Sequence, residues 1–413
     1  MTFPDRDDTG ERVVVTGMGV VSPIASELTD YVAGLRAGRT GAAPITGFDT
    51  RGFEHPVGCE VNGFRPDRWI RRLPVERLGR AARFAVAASR MAVLDARPPE
   101  ETLRGDGVIS VGTTNGGGPQ LERLVETEAL PGGETRDPLP TGTVLPHNLA
   151  TSVSQELDLP SAVPSVPGTA CAAGNHAIGE GVDAVRSGAA EFALCGGADA
   201  MSRKLFSGFS RLGLLAPDAC RPFDRDRAGI LLSEGAGMLL LERRSAALAR
   251  GAPIHAEVLG YGLNCDALHP VAPDRASVAS CMRTALRDAG IAPRDVDLVS
   301  AHGTGTGRND VTEVGAVLDV YGESPPPTVS VKSMLGHAMG AASALAAIAC
   351  VSAITHGFVP PTVNHRELDP ECPIDCVPNR AAEADLRIVQ SNGLAFGGSN
   401  AVVIFGKHDG RAR

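Results

Sequence analysis

One cysteine of this chain lies in a stretch made almost entirely of small residues. The stretch reads GTACAAG, from Gly168 to Gly174, with Cys171 at its centre. A buried free cysteine often serves only as a small apolar side chain, so tight packing is one interpretation. The other is a nucleophile on a cramped turn between a strand and a helix. The unpaired N–H groups at a helix N-terminus would favour its reactive thiolate form.

Three other segments place a chemically useful side chain beside small residues. In AHGTGTGRND, His302 follows a predicted strand, and in VKSMLGHAMGAA, Lys332 and His337 flank a turn before a helix. In LAFGGSNA, Phe396 precedes two glycines, which can supply a hinge. Each residue alone also fits a structural role, as a satisfied histidine, a surface lysine or a packed phenylalanine. Together they predict one reactive centre.

The segments that must position these residues alternate between strand-like and helix-like patterns. Alanine-rich amphipathic runs predict helices over 82–96 and 277–290, and the least polar stretch, 338–354, predicts a buried helix rather than a membrane span. Runs rich in valine, isoleucine and leucine predict strands over 12–22, 107–114, 191–199, 237–242, 255–263, 297–304, 328–333, 388–397 and 400–406.

The order of these elements predicts an internal duplication. Each half has a glycine-rich strand, a strand–turn–helix elbow and further strands, and the two elbows carry Cys171 and His337. We therefore expect an α/β fold with a flexible tail at residues 1–11, a first half at 12–251 and a second half at 252–413.

Composition narrows the classes of function. A hydrophobic content of 43% over 413 residues suffices for a large core. A net charge of −9 argues against nucleic acid, because phosphate binding needs a basic surface. Nine cysteines at irregular spacing and a polar N-terminus predict a cytoplasmic protein with free thiols. Cys372 and Cys376 form the one close pair, and without a second pair they predict no metal site.

Five ordered motifs resemble those of the elongating β-ketoacyl synthases, condensing enzymes of the thiolase-like superfamily that act in fatty-acid and type II polyketide assembly. The motifs are GTACAAG, RPFDRDRAGILLSEGAG, AHGTGTGRND, VKSMLGHAMGAA and LAFGGSNA, and the likeness covers nearly the whole chain. The resemblance implies duplicated βαβαβαββ halves in a layered α/β/α/β/α core. It also implies decarboxylative Claisen condensation between an acyl chain on Cys171 and malonyl-acyl carrier protein.

The resemblance also implies residue roles. His302 and His337 would donate hydrogen bonds to the enolate oxygen. The backbone N–H groups of Cys171 and Phe396 would form an oxyanion hole, and Phe396 would gate the acyl pocket. No free cofactor is expected, since the carrier protein brings its own phosphopantetheine. The expected assembly is a homodimer, or a heterodimer with a subunit similar to a chain-length factor.

Lys332 would orient the histidine region through a charged hydrogen-bond network. Its carboxylate partner could be Glu313 or Asp310, and the sequence leaves both open.

Two further expectations concern substrate contacts. Thr141, Gly142 and Thr143 are small residues expected to line the acyl tunnel, which would leave room for several ketide units or for side chains of a partner subunit. Arg77 and Arg80 belong to the run WIRRLPVERLGRAARF, which predicts a helical positive patch for the acidic carrier protein. An ordinary solvated helix face is the alternative interpretation of this run.

Some positions depart from the fatty-acid enzymes. Leu394 and Ala395 precede the gating phenylalanine where an aromatic residue and glycine are usual, and Gly305 replaces a frequent serine. These departures favour a type II polyketide or specialised fatty-acid pathway over housekeeping fatty-acid elongation. A thiolase would need a second cysteine in the last glycine-rich loop. A non-catalytic chain-length factor would lack Cys171, and the chain-priming branch has asparagine where this chain has His337.

Overall fold

The structure, a computed structural model, describes residues 11–129 and 143–408. Thr141, Gly142 and most of the expected N-terminal tail lie outside the described residues. The strands are β1 (Val13–Val21), β2 (Ala43–Pro44), β3 (Val57–Gly58), β4 (Gly107–Gly112), β5 (Ala162–Ser165), β6 (Phe192–Asp199), β7 (Gly235–Arg243), β8 (Ala256–Cys265), β9 (Leu298–Ser300), β10 (Thr328–Val329), β11 (Phe358–Val359), β12 (Ala382–Glu383), β13 (Ile388–Leu394) and β14 (Ser399–Gly406).

The helices occupy the alanine-rich and amphipathic segments, including the three predicted from the sequence. They are α1 (Leu28–Arg36), α2 (Arg80–Ala96), α3 (Glu100–Arg104), α4 (Gly118–Ala129), α5 (Asn148–Leu157), α6 (Ala173–Arg186), α7 (Arg203–Arg211), α8 (Arg244–Ala249), α9 (Arg275–Ala289), α10 (Gly307–Tyr321), α11 (Lys332–Leu335) and α12 (Ala342–His356).

Within the described part of the chain, ten strands form one mixed sheet whose two halves repeat the same order. From the centre outward, the first half runs β1, β7, β6, β4, β5, and the second runs β8, β14, β13, β9, β10. The halves join where β1 pairs antiparallel with β8, Val14 lying opposite Glu257. The predicted duplication is therefore confirmed.

Two central helices contact strands of both halves. Helix α6 packs against β6 of the first half and β14 of the second, and α12 packs against β7 and β13. Helix α2 covers the first half from the other side, and α9 covers the second. The two halves of the sheet therefore form separate layers, with α6 and α12 between them and α2 and α9 outside. This is the predicted α/β/α/β/α layering. The helical segment Met339–His356 is apolar and long enough to cross a membrane by composition, but 89% of it is buried inside the protein, so it is a core helix as predicted.

The prediction of a strand over 328–333 was wrong at its C-terminal end. Strand β10 stops at Val329, and Lys332 begins the short helix α11. The backbone N–H of Ser330 donates to the hydroxyl of Thr362 instead of to a strand, and the Ser330 hydroxyl donates to the carbonyl of Gly303. These bonds turn the chain out of the sheet edge and towards the loop after β9.

The arginine-rich run before α2 is not the single helix expected. One short 3₁₀ turn, Pro66–Arg68, comes just before the run, a second, Val75–Arg77, lies within it, and α2 begins only at Arg80. Pro74 disfavours helical geometry in the residue before it, which accounts for the break.

Candidate active site

Cys171 lies at an elbow where two helices approach closely. It occupies the 3₁₀ turn Ala170–Ala172 that leads into α6, and it is 5% exposed. A Cβ added at Gly174 would lie 2.6 Å from the backbone nitrogen of Ala344 in α12. Only glycine permits that approach, so the small residues around the cysteine reflect the contact between α6 and α12 as well as space for a substrate.

Opposing influences act on the Cys171 thiol. Burial raises its pKa to about 12, while the charge of Lys332 and hydrogen bonds from the backbone N–H groups of Cys171 and Phe396 lower it. Burial dominates, so the resting group is a thiol. The two N–H groups expected to form an oxyanion hole are therefore both close to the sulfur.

The structure brings His302 and His337 together. Their ring centroids are 5.3 Å apart, with the rings nearly perpendicular at 81°. His302 follows β9, and His337 lies between α11 and the turn Met339–Ala341. The backbone of His337 is fixed by a 2.7 Å bond from its N–H to the carbonyl of Leu231.

Both histidines are buried and neutral near neutral pH. Burial, followed by the charge of Lys332, lowers the pKa of each imidazole well below 6.5. The ammonium of Lys332 donates to the carbonyl of His302 at 2.5 Å and lies 3.4 Å from its Nδ1. A proton donor at Nδ1 favours the tautomer with hydrogen on Nε2. Nε2 of His302 is then a hydrogen-bond donor.

The two candidate carboxylates hold the loop that carries His302. Glu313 accepts from the backbone N–H groups of His302 at 2.7 Å and Gly303 at 2.8 Å. Asp310 accepts from the N–H group of Thr304 at 3.0 Å, and also from those of Gly305 and Phe223. No ion pair joins Lys332 to either carboxylate in the described part of the chain.

Glu313 has the stronger electrostatic effect on the lysine. Burial lowers the pKa of Lys332, and among the charges that oppose this Glu313 acts most strongly, with Asp310 acting less.

A buried chain of polar side chains extends behind Glu313, and the sequence reasoning missed it. The hydroxyl of Tyr321 donates to Gln390 at 2.6 Å, Gln390 donates to Asn392 at 2.8 Å, and Asn392 donates to Glu313 at 3.0 Å. Gln390 and Asn392 both lie on β13, two residues apart, so their side chains share one face of the sheet. Tyr321 and Gln390 lie outside every motif. Asn392 lies two residues before LAFGGSNA, but the sequence gives no sign that it acts through a carboxylate from another element.

Cys171 and both histidines line one cavity of about 200 Å³. Phe396 also lines it, is 37% exposed, and stacks on Phe209 with ring centroids 5.8 Å apart. Phe209 was not predicted from the sequence, because it lies on α7 outside all five motifs. The remaining lining residues are Leu214, Ile230, Val271, Pro273, Thr304, Thr306, Gly307, Arg308, Asn309, Leu394 and Ala395.

Thr143 lies elsewhere. Its side chain lines a different cavity of about 140 Å³, together with Arg77, Arg83 and Gln120. The described residues do not bring Thr143 to the Cys171 cavity, and its role in an acyl tunnel stays a prediction.

The two patch arginines differ in their surroundings. Arg77 is exposed, whereas the Arg80 guanidinium donates to the buried Glu234, with 2.8 Å between Nε and Oε2. Arg80 therefore contributes little free positive charge to the surface.

With this geometry in place, the comparisons with known proteins define the class. The chain matches the family models "Beta-ketoacyl synthase, N-terminal domain" over residues 10–247 and "Beta-ketoacyl synthase, C-terminal domain" over residues 255–366. It therefore belongs to the β-ketoacyl synthase family. The predicted enzyme class is confirmed: the chain is an acyltransferase that forms carbon–carbon bonds.

Two curated relatives cover nearly the full chain. Nodulation protein E of Rhizobium meliloti is 40% identical over 401 residues, 95% of this chain and 98% of the relative. The 3-oxoacyl-[acyl-carrier-protein] synthase 2 of a Synechocystis strain is 38% identical over 411 residues, 96% of this chain and 98% of the relative.

Two solved structures are also similar. The ishigamide ketosynthase/chain length factor is 56% identical with a TM-score of 0.95, covering 97% of this chain and 100% of that chain. A type II polyketide ketosynthase in complex with its acyl-carrier protein is 29% identical with a TM-score of 0.88, with the same coverage.

Proposed function

We propose that this chain is the catalytic ketosynthase of a type II polyketide system. It condenses an acyl chain held on Cys171 with malonyl-acyl carrier protein, and it works beside a subunit similar to a chain-length factor. The observation that carries the proposal is the convergence of Cys171, His302 and His337 on one buried cavity. The 56% identity to the ishigamide ketosynthase/chain length factor supports the polyketide assignment and the partner.

In the first step, the Cys171 sulfur attacks the thioester carbonyl of an acyl carrier protein. Negative charge develops on the carbonyl oxygen, where the N–H groups of Cys171 and Phe396 can stabilise it. The bond to the carrier's sulfur breaks, and that thiolate leaves with the proton that Cys171 gave up. The phosphopantetheine arm belongs to the carrier protein, so this step requires no cofactor bound to the chain.

In the second step, malonyl-acyl carrier protein loses CO2. The electron pair of the broken carbon–carbon bond becomes an enolate, whose oxygen accepts hydrogen bonds from neutral His302 and His337. The enolate carbon then bonds to the acyl carbon, and the Cys171 thiolate leaves. Each preorganised donor of this kind is worth roughly 3–4 kcal/mol in catalysis.

Lys332 acts as a positioning residue. Its ammonium holds the carbonyl and Nδ1 of His302, and it keeps that imidazole in the donor form. Glu313 and Asp310 support the same loop through backbone hydrogen bonds.

The remaining expectations belong to this proposal. The division at residues 251 and 252 is supported by the two family models, which end at 247 and begin at 255. Nine free cysteines support a cytoplasmic location. Phe396 is proposed as the gate because it lines the cavity and is also partly exposed to solvent.

Reconstitution tests the function. The chain, with and without a chain-length-factor-like subunit, is given an acyl carrier protein loaded with an acyl chain and one loaded with malonate. We expect one CO2 released for each product extended by two carbons, and no product from Cys171→Ala. Absence of extended product from every acyl donor would contradict the proposal.

Housekeeping fatty-acid elongation is the second candidate, supported by the 38% identity to the Synechocystis synthase. A competition between saturated and β-keto or polyunsaturated acyl donors of equal length separates the two. The polyketide proposal predicts preferential extension of the β-keto or unsaturated donor, and preference for the saturated donor would favour fatty-acid elongation.

A further inference from the structure

Arg308 is the one side chain in the described lining of the Cys171 cavity that is charged at neutral pH. The lining contains no aspartate, glutamate or lysine, and burial keeps the two histidines neutral. The lining residues from His302 to Arg308 pass from buried to exposed, so Arg308 lies at the outer end of the cavity. The inner end of the cavity, around Cys171, is therefore uncharged, and its outer end, at Arg308, is positively charged.

No hydrogen bond or ion pair occupies the Arg308 side chain among the described residues. Nearby Asp310 is fully buried and already accepts from three backbone N–H groups. By contrast, Arg221 and Arg227 are bound to Asp218 and Asp369. An unpaired guanidinium beside a cavity without carboxylates is suited to an anionic group of the substrate.

We propose that Arg308 binds the phosphate of the phosphopantetheine arm as it enters the cavity. This inference rests on the proposed function, since that function brings such an arm to Cys171. The malonyl carboxylate is the other anion available, but its negative charge moves to the enolate as CO2 leaves. A cation held on that carboxylate would stabilise the ground state more than the transition state and would slow the reaction. The phosphate keeps its charge throughout.

The phosphate lies far from the reacting atoms, so its contact with Arg308 is equally strong in the ground state and the transition state. Uniform binding of this kind lowers KM without changing kcat. Arg308 therefore acts as a specificity residue for phosphorylated arms.

The test compares two donors that differ only by the phosphate: acyl-pantetheine and acyl-4′-phosphopantetheine. Acylation of Cys171 is followed by mass spectrometry in the wild type, Arg308→Gln and Arg308→Lys. We expect Arg308→Gln to raise KM for the phosphorylated donor roughly five- to tenfold, with kcat and the KM for acyl-pantetheine unchanged. Arg308→Lys should retain part of the preference, and added salt should reduce it in the wild type.

Arg294→Gln is the matched control, because Arg294 is also exposed but lines a separate cavity. It should leave both KM values unchanged. Equal KM values for the two donors in the wild type, or an equal rise for both in Arg308→Gln, would overturn the proposal. A selective loss of malonyl-pantetheine decarboxylation in Arg308→Gln would assign the arginine to the carboxylate instead. Failure of the wild type to be acylated by either donor would contradict the proposed function itself.

Discussion

Lys332 and the two histidines form a group in which burial controls protonation. The lysine is 3% exposed, and its ammonium contacts His302 through both the carbonyl and the ring. A positive charge this close opposes protonation of the imidazole, and burial opposes it further. The histidines are therefore held as neutral donors, which suits stabilisation of an enolate rather than general-acid catalysis by an imidazolium.

Replacement of either histidine should separate the two half-reactions. In His302→Ala and His337→Ala, we expect substantial acylation of Cys171, because the oxyanion N–H groups remain. Condensation should fall by about 100-fold or more, since one donor to the enolate is lost. Mass spectrometry measures acylation, and CO2 release measures the second step. A normal condensation rate in either variant would show that its histidine is not needed.

The lowered pKa values of the two histidines predict that the condensation rate does not fall as the pH decreases from 8 to 6.5. A histidine with an ordinary pKa would be half protonated at pH 6.5, whereas His302 and His337 stay neutral there. The single-turnover condensation rate of pre-acylated enzyme should therefore stay constant from pH 8 to 6.5. In Lys332→Met the loss of positive charge lets the pKa of His302 rise, so the decline should begin at higher pH. Identical pH–rate profiles for the wild type and Lys332→Met would contradict the role given to Lys332.

Sequence reasoning could identify side chains that react but not those that act through others. Cys171 and His302 are recognisable because glycine and small residues surround them in the chain. Phe209 reaches the site from α7, outside every motif. Asn392 reaches it from β13, next to the LAFGGSNA motif, but its partner Glu313 is 79 residues away in the chain. Their function depends on tertiary contacts.

Among the elements, α10 and β13 together support the histidine loop. Glu313 on α10 binds the backbone of His302, while Asn392 on β13 binds Glu313. The chain of bonds ends at Tyr321, at the C-terminal end of α10. Buried polar networks of this kind are rigid when every member is satisfied, and they are costly when one member is removed.

Tyr321→Phe tests how much the buried hydrogen-bond network contributes to stability. It leaves the Gln390 carbonyl oxygen buried without its donor, which costs roughly 1–3 kcal/mol of unfolding free energy in urea titrations. Tyr261→Phe is the matched control, because the Tyr261 hydroxyl bonds to the more accessible Asp183, and its cost should be smaller. Equal costs for the two substitutions would mean that the buried network adds no stability.

The elements themselves were largely predictable. Strands β6, β7 and β14 follow the predicted hydrophobic runs because each contains at least four consecutive apolar residues. The strand predicted over 328–333 ended early because Ser330 bonds to Thr362 and Gly303, contacts that arise only in the folded chain. The local hydrophobic pattern therefore determines whether a segment forms a strand. Tertiary hydrogen bonds determine where this strand ends.

At the scale of the whole molecule, the net charge disfavours an acidic partner, whereas one local surface favours it. The chain carries −9 overall, yet Arg77 and Arg83 line a cavity next to α2. Burial lowers the pKa of Arg83, and the charges of Arg80 and Arg123 lower it further. The arginines of this lining outnumber its one acidic residue, Glu76. Such an excess of positive charge is suited to an acidic partner, and we propose that a carrier protein docks there.

Arg77→Glu should weaken carrier-protein binding, and the difference from the wild type should shrink as salt rises. Arg77 is the better choice than Arg80, since replacing Arg80 would leave Glu234 buried and unpaired. Arg294→Glu controls for the change in net charge. If KM for the carrier-bound substrate is unchanged in Arg77→Glu at low salt, the carrier protein docks elsewhere.

The central claim is that Cys171 carries the growing chain. The most direct measurement is the intact mass of the wild type and of Cys171→Ala after incubation with an acyl carrier protein loaded with an acyl chain. We predict that the wild type gains the mass of one acyl group, located by peptide mapping on Cys171, and that Cys171→Ala gains none. Equal labelling of the two proteins would contradict the account, whichever other cysteine carried the label.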